Sequence, residues 1–336
     1  RAVVERVQRA LQSDVELDDV PVSAETSIGL AFWPTDAGTM AELLQCAELA
    51  MYTAKETHAE IVEYSAQLEH FTPARLALVS QLRRAIASDE LRLHYQPKLD
   101  LRSGQVKGVE ALVRWDHPER GLLPPAEFLD VAESTGLIGP LTSWVLDNTL
   151  AQLARWQRRG LELTVAVNVS ARSLRDETLP ELIFDRLAAR GIQPRHLEIE
   201  ITETALIADP ARAITLLQRL RDGGVAVSLD DFGQGYTSLA QLGRLPLSEL
   251  KIDRAFVATM LANTHDRTIV STVIELGHSF GLRIVAEGAE DAETLTMLAT
   301  LGCDAAQGYG LSRPLPPLDL ETWMARYRPY AAQPIG

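Results

Sequence analysis

Acidic side chains recur at the ends of short β-rich stretches in this sequence. Asp230 and Asp231 are adjacent at the end of one stretch, and Glu287 ends another. The whole set is Glu110, Glu200, Glu203, Asp230, Asp231, Asp253, Glu287 and Glu290. A single carboxylate at such a place is usually a helix N-cap or a solvated loop residue, but eight around one site would repel one another at a cost of several kcal/mol. The pattern therefore requires a cation.

Hard divalent cations are the partner that these side chains fit best. Lys251 and Arg114 supply positive charge in the same stretches, but too little to balance the acidic set. The candidate ligands are carboxylate oxygens and the Asn168 side-chain carbonyl, which favour Mg²⁺ or Mn²⁺ over zinc. In the pair Asp230 and Asp231, one carboxylate can bridge two ions about 3.5–4 Å apart, the usual arrangement for displacement at phosphorus. Bound metal attracts a phosphodiester to an acidic site, so the residues indicate metal-assisted hydrolysis of a phosphate ester.

A barrel is the architecture that would bring these side chains together. From about residue 90, eight β-rich stretches alternate with amphipathic helical ones, which indicates a parallel α/β fold. The β-rich stretches are 91–99, 107–115, 163–170, 196–202, 225–231, 249–253, 283–287 and 304–309. They favour a closed (β/α)8 barrel of the TIM type, in which active sites lie at the C-terminal strand ends. The connection at 100–106 is too short for a helix, so the first two strands are expected to be antiparallel.

The helical stretches and the first part of the chain complete the expected organisation. Long amphipathic stretches lie at 140–160, 172–190, 206–222 and 255–280. Ahead of the barrel, the sequence predicts a strand at 27–32, a helix at about 40–55, a short strand at 61–64 and a helix at about 73–88. We therefore expect a small partial α/β segment at 1–65, a linker helix at 66–89 and the barrel at 90–330.

Composition narrows the class of protein. Of 336 residues, 46% are hydrophobic and 23% charged, which is ordinary for a soluble domain, and no apolar run approaches the ~20 residues of a membrane span. The net charge of −14 argues against binding a nucleic-acid polymer. Only Cys46 and Cys303 are present, so neither a disulfide framework nor a zinc pattern is available and a cytoplasmic location is expected. Because the chain starts at Arg1 without a signal pattern, we expect a piece of a longer protein, whose upstream regulatory or sensor region could tether it to a membrane.

An ordered series of motifs resembles one known family. The series consists of YQP at 95–97, EALVRW at 110–115, PAEF at 125–128, NVS at 168–170, EITE at 200–203, DDFGQGY at 230–236, KID at 251–253, AEGAE at 286–290 and QGY at 307–309. It resembles the EAL domain, the family of bacterial cyclic-di-GMP phosphodiesterases. A bare Glu-Ala-Leu occurs by chance in many proteins, whereas this order of motifs is specific. The resemblance covers roughly 75–325.

The resemblance implies a metal-binding role for the acidic set. A first ion would be held by Glu110, Asn168, Glu200 and Asp230. A second ion would be shared by Asp230 and Asp231, so that two ions of Mg²⁺ or Mn²⁺ are expected. Glu287 would act through the water of the second metal or as the general base. Lys251 would orient the nucleophilic water or hold the phosphate.

The resemblance also implies how substrate is held. Arg114 would contact a phosphate of cyclic-di-GMP and Gln96 a guanine edge, and the product would be linear pGpG. Glu203, a member of the catalytic group, would brace the loop 232–239, which closes over the site and contributes to a homodimer contact. The remaining substrate-binding positions are Asp253, Gln307 and Glu290.

Departures from the family pattern are small and leave the chemistry intact. Ala289 stands where Val is common and Thr237 where Ser is common, and no metal or base position is changed. This favours an active hydrolase over the alternative of a catalytically silent receptor domain that binds cyclic-di-GMP. A third alternative, an unrelated metal-dependent barrel hydrolase, leaves the motif series as coincidence.

The segment before the barrel resembles the C-terminal part of a GGDEF domain, the diguanylate cyclase fold. The resemblance rests on SIGLA at 27–31, Leu43 with Leu44, and AELAMYTAK at 47–55, where Glu48 replaces the usual Asp. The front half of that domain, including its signature loop, is absent from the sequence, so this segment is not expected to act as a cyclase. The alternative is a small appendage packed on the barrel.

Overall fold

The computed structural model describes residues 15–17, 20–22, 26–57, 61–65, 73–206, 209–233 and 239–328. It divides the chain into two compact units, Arg1–Gln81 and Leu82–Gly336. No helix within the described ranges combines the length and the hydropathy that a membrane crossing needs.

The described residues of the first unit form two small sheets and a long helix, and a further helix begins before the unit ends. Strands β1 (Val15–Leu17) and β2 (Val20–Val22) are antiparallel, whereas β3 (Ile28–Leu30) and β4 (Ile61–Glu63) are parallel. Helix α1 (Met40–Thr57) starts with a capping box, in which Thr39 Oγ1 accepts from the Glu42 amide and Glu42 Oε2 accepts from the Thr39 amide. A Cβ at Gly29 would lie 2.2 Å from the Ala47 carbonyl oxygen, so glycine allows strand and helix to approach closely. The predicted strands and helix of this segment are thus present.

The second unit is a closed eight-stranded barrel. Its strands are β5 (Leu91–Asp100), β6 (Gln105–His117), β8 (Thr164–Asn168), β9 (Leu197–Thr202), β10 (Ala226–Phe232), β11 (Glu249–Ile252), β12 (Arg283–Glu287) and β13 (Ala305–Gln307), with β7 (Gly121–Leu123) added to β6 as a short hairpin. The order β5-β13-β12-β11-β10-β9-β8-β6 closes through a β5–β6 pairing. Strand β5 is antiparallel to both of its neighbours. The predicted (β/α)8 barrel with one antiparallel strand is confirmed.

Helices surround the barrel in the expected alternation. They are α3 (Leu129–Thr135), α4 (Ile138–Arg158), α5 (Leu179–Arg190), α6 (Pro210–Asp222), α7 (Leu239–Leu242), α8 (Arg254–Val257), α9 (Thr264–Ser279), α10 (Ala292–Thr300) and α11 (Pro317–Arg326). Helix α2 (Pro73–Ala87) precedes β5 in the chain and crosses the boundary between the two units. The amphipathic stretch 255–280 contains two helices, α8 and α9. Asn263 Oδ1 accepts a hydrogen bond from the His265 amide, and this N-cap starts α9 where a continuous helix would leave that amide bonded to the preceding turn.

Side-chain alternation along the strands separates an apolar outer layer from a charged interior. On β11, Leu250 and Ile252 are fully buried, and a Cβ at Gly277 of α9 would lie 3.7 Å from Leu250, so this side of the strand packs on the helix. The residues between them point the other way, because successive side chains of a strand alternate. Barrel interiors are usually filled by Val, Ile and Leu. This one instead holds charged side chains that meet across the barrel axis, as described next.

Candidate active site

One lysine lies at the centre of the acidic set. Lys251 Nζ is 2.5 Å from Glu287 Oε1, 3.2 Å from Asp230 Oδ2 and 3.2 Å from Glu200 Oε2, and Glu110 Oε2 is 4.0 Å away. The side chain of Lys251 is completely buried. These groups come from strands β6, β9, β10, β11 and β12. The pairing of the parallel strands in register brings them together at one mouth of the barrel. The predicted convergence of these carboxylates is present in the structure.

Negative charge exceeds positive charge around Lys251, and the pKa values show it. Burial, Glu200 and Asp230 raise the pKa of Glu110 to about 7. Burial, Asp230 and Glu110 raise the pKa of Glu287 to about 8. Burial would also raise the pKa of Glu200, but the ammonium groups of Lys251 and Lys98 outweigh it and hold that pKa at about 2. Carboxyl groups that keep protons near neutral pH indicate a place where a further cation would be favourable.

Three oxygens at the open side of this cluster are close enough to share an ion. Ligand oxygens of Asp230, Asp231 and Glu287 all lie within 4.8 Å of one another. Asp231 has a φ of 56°, the one positive value among the non-glycine residues that the structure describes, and its amide donates to Asp230 Oδ1 at 2.9 Å. Such a conformation costs about 1–3 kcal/mol and is found at functional sites. An all-oxygen set of this kind fits a hard divalent cation.

A chain of amide groups holds Glu110 from both sides. Asn168 Nδ2 donates to Glu110 Oε1 at 2.7 Å, and Gln307 Nε2 donates to Glu110 Oε2 at 2.6 Å. Gln307 Nε2 also donates to Gln96 Oε1, and Gln96 Nε2 donates to the Ser312 carbonyl. With its amide nitrogen used in this way, the Asn168 side chain presents its carbonyl oxygen as a possible ligand. Both glutamines thus lie beside Glu110, and their predicted contacts with substrate stay predictions.

The other predicted residues differ in burial. Glu203 is buried and its Oε1 accepts from the Gly233 amide at 3.1 Å, next to the loop it is predicted to brace. Asp253 is buried, and its Oδ1 caps α8 by accepting from the Ala255 amide at 2.6 Å. Arg114 is partly exposed, whereas Glu290 is exposed. Residues 234–238 of the predicted dimer loop, Thr237 among them, lie outside the described residues.

Three further charged residues lie in the interior: Glu198, which the sequence places beside Glu200 on strand four but outside the acidic set, and Lys98 and Glu249, which the sequence reasoning missed. Lys98, Glu198 and Glu249 are each 5% exposed and form a second cluster below the first. Lys98 lies two positions after Gln96, and Glu198 and Glu249 lie two positions before Glu200 and Lys251. Residues two apart on a strand share one face, so each of the three faces the interior like its predicted neighbour. Strand alternation was therefore the signal that could have found them.

A cavity of about 400 Å³ opens beside Asn168. Its walls are largely apolar, with Leu112, Leu141 and Val145 on one side and Thr202 on another. Apolar walls with a few polar groups are typical of small-molecule sites.

Comparisons with known proteins agree on one family. A family described as the EAL domain matches residues 79–314. The chain is 38% identical to "Bifunctional diguanylate cyclase/cyclic di-GMP phosphodiesterase MucR" of Pseudomonas aeruginosa, over 94% of the chain and 46% of that protein. It is 35% identical to "Cyclic di-GMP phosphodiesterase PdeR" of Escherichia coli, over 97% of the chain and 49% of that protein. The chain therefore spans less than half the length of these relatives.

A solved structure shares the barrel. The structure described as "PaMucR Phosphodiesterase, c-di-GMP complex" aligns with a TM-score of 0.70 at 42% identity, covering 73% of this chain and 99% of that one. Another, "Crystal structure of the EAL domain of Mycobacterium smegmatis DcpA", has a TM-score of 0.61 at 36% identity, covering 70% of this chain and 98% of that one.

Proposed function

The chain belongs to the EAL-domain family, and on that premise we propose that its barrel hydrolyses cyclic-di-GMP to linear pGpG. The observation that carries this proposal is the convergence of Glu110, Glu200, Asp230 and Glu287 on Lys251 at the C-terminal mouth of the barrel. Catalytic groups of TIM-type barrels lie at this end. Relatives named as cyclic di-GMP phosphodiesterases support the choice of substrate.

The metal proposal follows from the same oxygens. Family membership implies dependence on a divalent ion, and we assign two ions of Mg²⁺ or Mn²⁺. Glu110, Asn168, Glu200 and Asp230 would hold the first ion, and Asp230 with Asp231 would hold the second. The close oxygens of Asp230, Asp231 and Glu287 support this assignment. When bound, such ions neutralise phosphate charge and lower the pKa of water.

Lys251 and Glu287 are assigned different roles. Burial would lower the pKa of Lys251, but the surrounding carboxylates outweigh it and raise that pKa above its ordinary value, so Lys251 stays a cation and would orient the nucleophilic water or hold the phosphate. The pKa of Glu287 is raised to about 8, so without metal this carboxyl holds a proton at neutral pH. A bound divalent ion would lower that pKa, and Glu287 would then act through the water of the second metal or as the general base. The 2.5 Å contact with Lys251 orients the Glu287 side chain.

Substrate would be held across the mouth. Arg114, partly exposed at the end of β6, would bind a phosphate, and the cavity beside Asn168 offers apolar walls for one base. Gln96 and Gln307 would contact a guanine edge, with Asp253 and Glu290 at the rim. Glu203 would hold the loop 232–239 through the Gly233 amide. We propose from the family resemblance that this loop contributes to a homodimer. We also propose that residues 1–65 are the C-terminal part of a GGDEF domain that follows an upstream sensor region.

The deciding experiment incubates the purified chain with cyclic-di-GMP and Mg²⁺ or Mn²⁺, with and without EDTA, and separates the nucleotides by chromatography. We expect pGpG to form and EDTA to suppress it. Tight binding of intact substrate would instead identify a silent receptor domain. Absence of binding would overturn the proposal. Variants that neutralise a carboxylate in the mouth have a matched control in Glu275→Gln, which neutralises an exposed carboxylate on α9.

A further inference from the structure

The interior of the barrel holds a second lysine below the mouth. Lys98 of β5 lies 2.7 Å from Glu200 Oε1, 3.1 Å from Glu198 Oε2 and 3.4 Å from Glu249 Oε1. These groups come from strands β5, β9 and β11 and are almost completely buried. We call Lys98, Glu198 and Glu249 the lower cluster. It shares one residue, Glu200, with the set around Lys251.

Each carboxylate oxygen of Glu200 accepts a hydrogen bond from a different lysine. Its Oε1 accepts from Lys98 at 2.7 Å, and its Oε2 accepts from Lys251 at 3.2 Å. The carboxylate is completely buried, so these two ammonium groups decide its orientation. The contact with Lys98 holds Oε1 in the lower cluster and leaves Oε2 beside Lys251.

We propose that Lys98 is a positioning residue that presents Glu200 Oε2 to the divalent ion. The inference rests on the proposed function, in which Glu200 is a ligand. Carboxylates that bind metal are commonly oriented by a hydrogen bond from an outer partner, and loss of that partner weakens metal binding. Here the outer partner is the Lys98 ammonium group, whose shortest hydrogen bond is with Glu200.

The simpler alternative is that Lys98 only neutralises buried carboxylates. Lys98 bonds both oxygens of Glu198, at 3.1 and 3.2 Å, but its shortest hydrogen bond, at 2.7 Å, is with Glu200 Oε1. Glu249 has a second cation, because Arg283 Nη1 lies 3.6 Å from its Oε2. Among the described residues, Lys98 is the cation paired with Glu198, so neutralisation alone would place Lys98 nearest to Glu198. The shortest hydrogen bond of Lys98 is instead with Glu200.

The test compares two variants that differ only at residue 98. Lys98→Met alone would leave Glu198 and Glu249 buried beside a missing cation, which is strongly destabilising. The background is therefore Glu198→Leu/Glu249→Leu, because apolar replacement of a buried ionic group is often neutral. K98M is added to this background, and Mn²⁺ binding is followed by the electron paramagnetic resonance signal of free Mn²⁺. Melting temperature, kcat and KM are measured on the same samples.

We expect K98M to weaken Mn²⁺ binding by about 10–100-fold relative to its background, with kcat reduced at limiting Mn²⁺ and partly restored by excess Mn²⁺. Affinities within about twofold at equal melting temperature would overturn the inference and leave Lys98 as a neutralising charge. Failure of K98M to fold where the background folds would make Lys98 a structural residue and also overturn it. If the unmodified chain binds Mn²⁺ without hydrolysing cyclic-di-GMP, the proposed function fails while the effect of K98M on Mn²⁺ binding still decides this inference.

Discussion

The two charged clusters inside the barrel differ in balance and in access. The lower cluster surrounds Lys98 with side chains at most 6% exposed, and Arg283 adds a second cation from outside. Around Lys251, the side chains of Asp230 and Glu287 are 13% and 20% exposed, and four carboxylates face one ammonium group. The lower layer is closer to charge balance, although burial, Glu249 and Glu200 raise the pKa of Glu198 to about 7 there as well. The layer around Lys251 carries the larger excess of negative charge. Chemistry is expected where the excess negative charge meets solvent, because an external cation can enter only there.

The largest effect should come from removing one oxygen of the mouth. Asp230→Asn is expected to reduce turnover of cyclic-di-GMP by about a thousandfold, equivalent to ~4 kcal/mol of transition-state stabilisation. Its melting temperature without metal should stay equal or rise, because Asn relieves repulsion in an over-negative cluster. Chromatography of pGpG and thermal unfolding test both parts, with Glu275→Gln as control. Retained hydrolysis would show that the metal site is misplaced.

The second effect concerns the central cation itself. Lys251→Met removes the ammonium group that Glu110, Asp230 and Glu287 face, whereas Glu200 keeps its bond with Lys98. The variant should destabilise the metal-free chain by about 3–5 kcal/mol. Mn²⁺ should then raise the melting temperature of this variant more than that of the unmodified chain, since it supplies the missing charge. Equal shifts in both proteins, measured by thermal unfolding with and without EDTA, would contradict the idea that Mn²⁺ enters this cluster.

Glu287 and Glu200 should make opposite contributions to the pH dependence of folding stability. The pKa of Glu287 is raised from 4.5 to about 8, so the folded chain holds a proton that the unfolded chain has lost. Stability in EDTA should therefore fall as pH rises between these values, by at most about 1.4 kcal/mol per pH unit for each proton. Glu200 behaves oppositely, because its pKa is lowered to about 2 and its contribution is lost only as pH falls below 4.5. In Glu287→Gln, the melting temperature in EDTA should fall less between pH 5 and pH 8 than in the unmodified chain. An equal fall in both proteins would rule out Glu287 as a source of this pH dependence.

The smallest effect should come from the outer edge of the lower cluster. Arg283 is 42% exposed and pairs with Glu249 and Asp100, so Arg283→Met should cost no more than about 1 kcal/mol. Turnover should stay within about twofold, because Lys98 still holds Glu200. A large loss of kcat without loss of stability would show that the two clusters are coupled more strongly than the distances indicate.

Local pattern in the sequence was enough for the fold. Alternating residues and turn signals place all eight barrel strands within a few residues of their observed bounds, and the short link at 100–106 predicts the antiparallel pair. Both features depend on residues close in the chain. The amphipathic pattern at 255–280 does not show that two helices form there, because the pattern continues across Asn263, the N-cap of the second helix.

By itself, the amino-acid sequence determined the strands, the helices and the chemical types that line the mouth. Only the tertiary structure decided which charges meet. Lys98 and Glu200 are 102 positions apart, and Lys251 and Glu110 are still farther apart in the chain. Alternation assigns each of them to the interior face of its strand, but the depth and neighbours of a side chain depend on barrel closure and strand stagger. The pKa values of Glu110, Glu200 and Glu287 follow from those neighbours and from burial, which is why they required the folded chain.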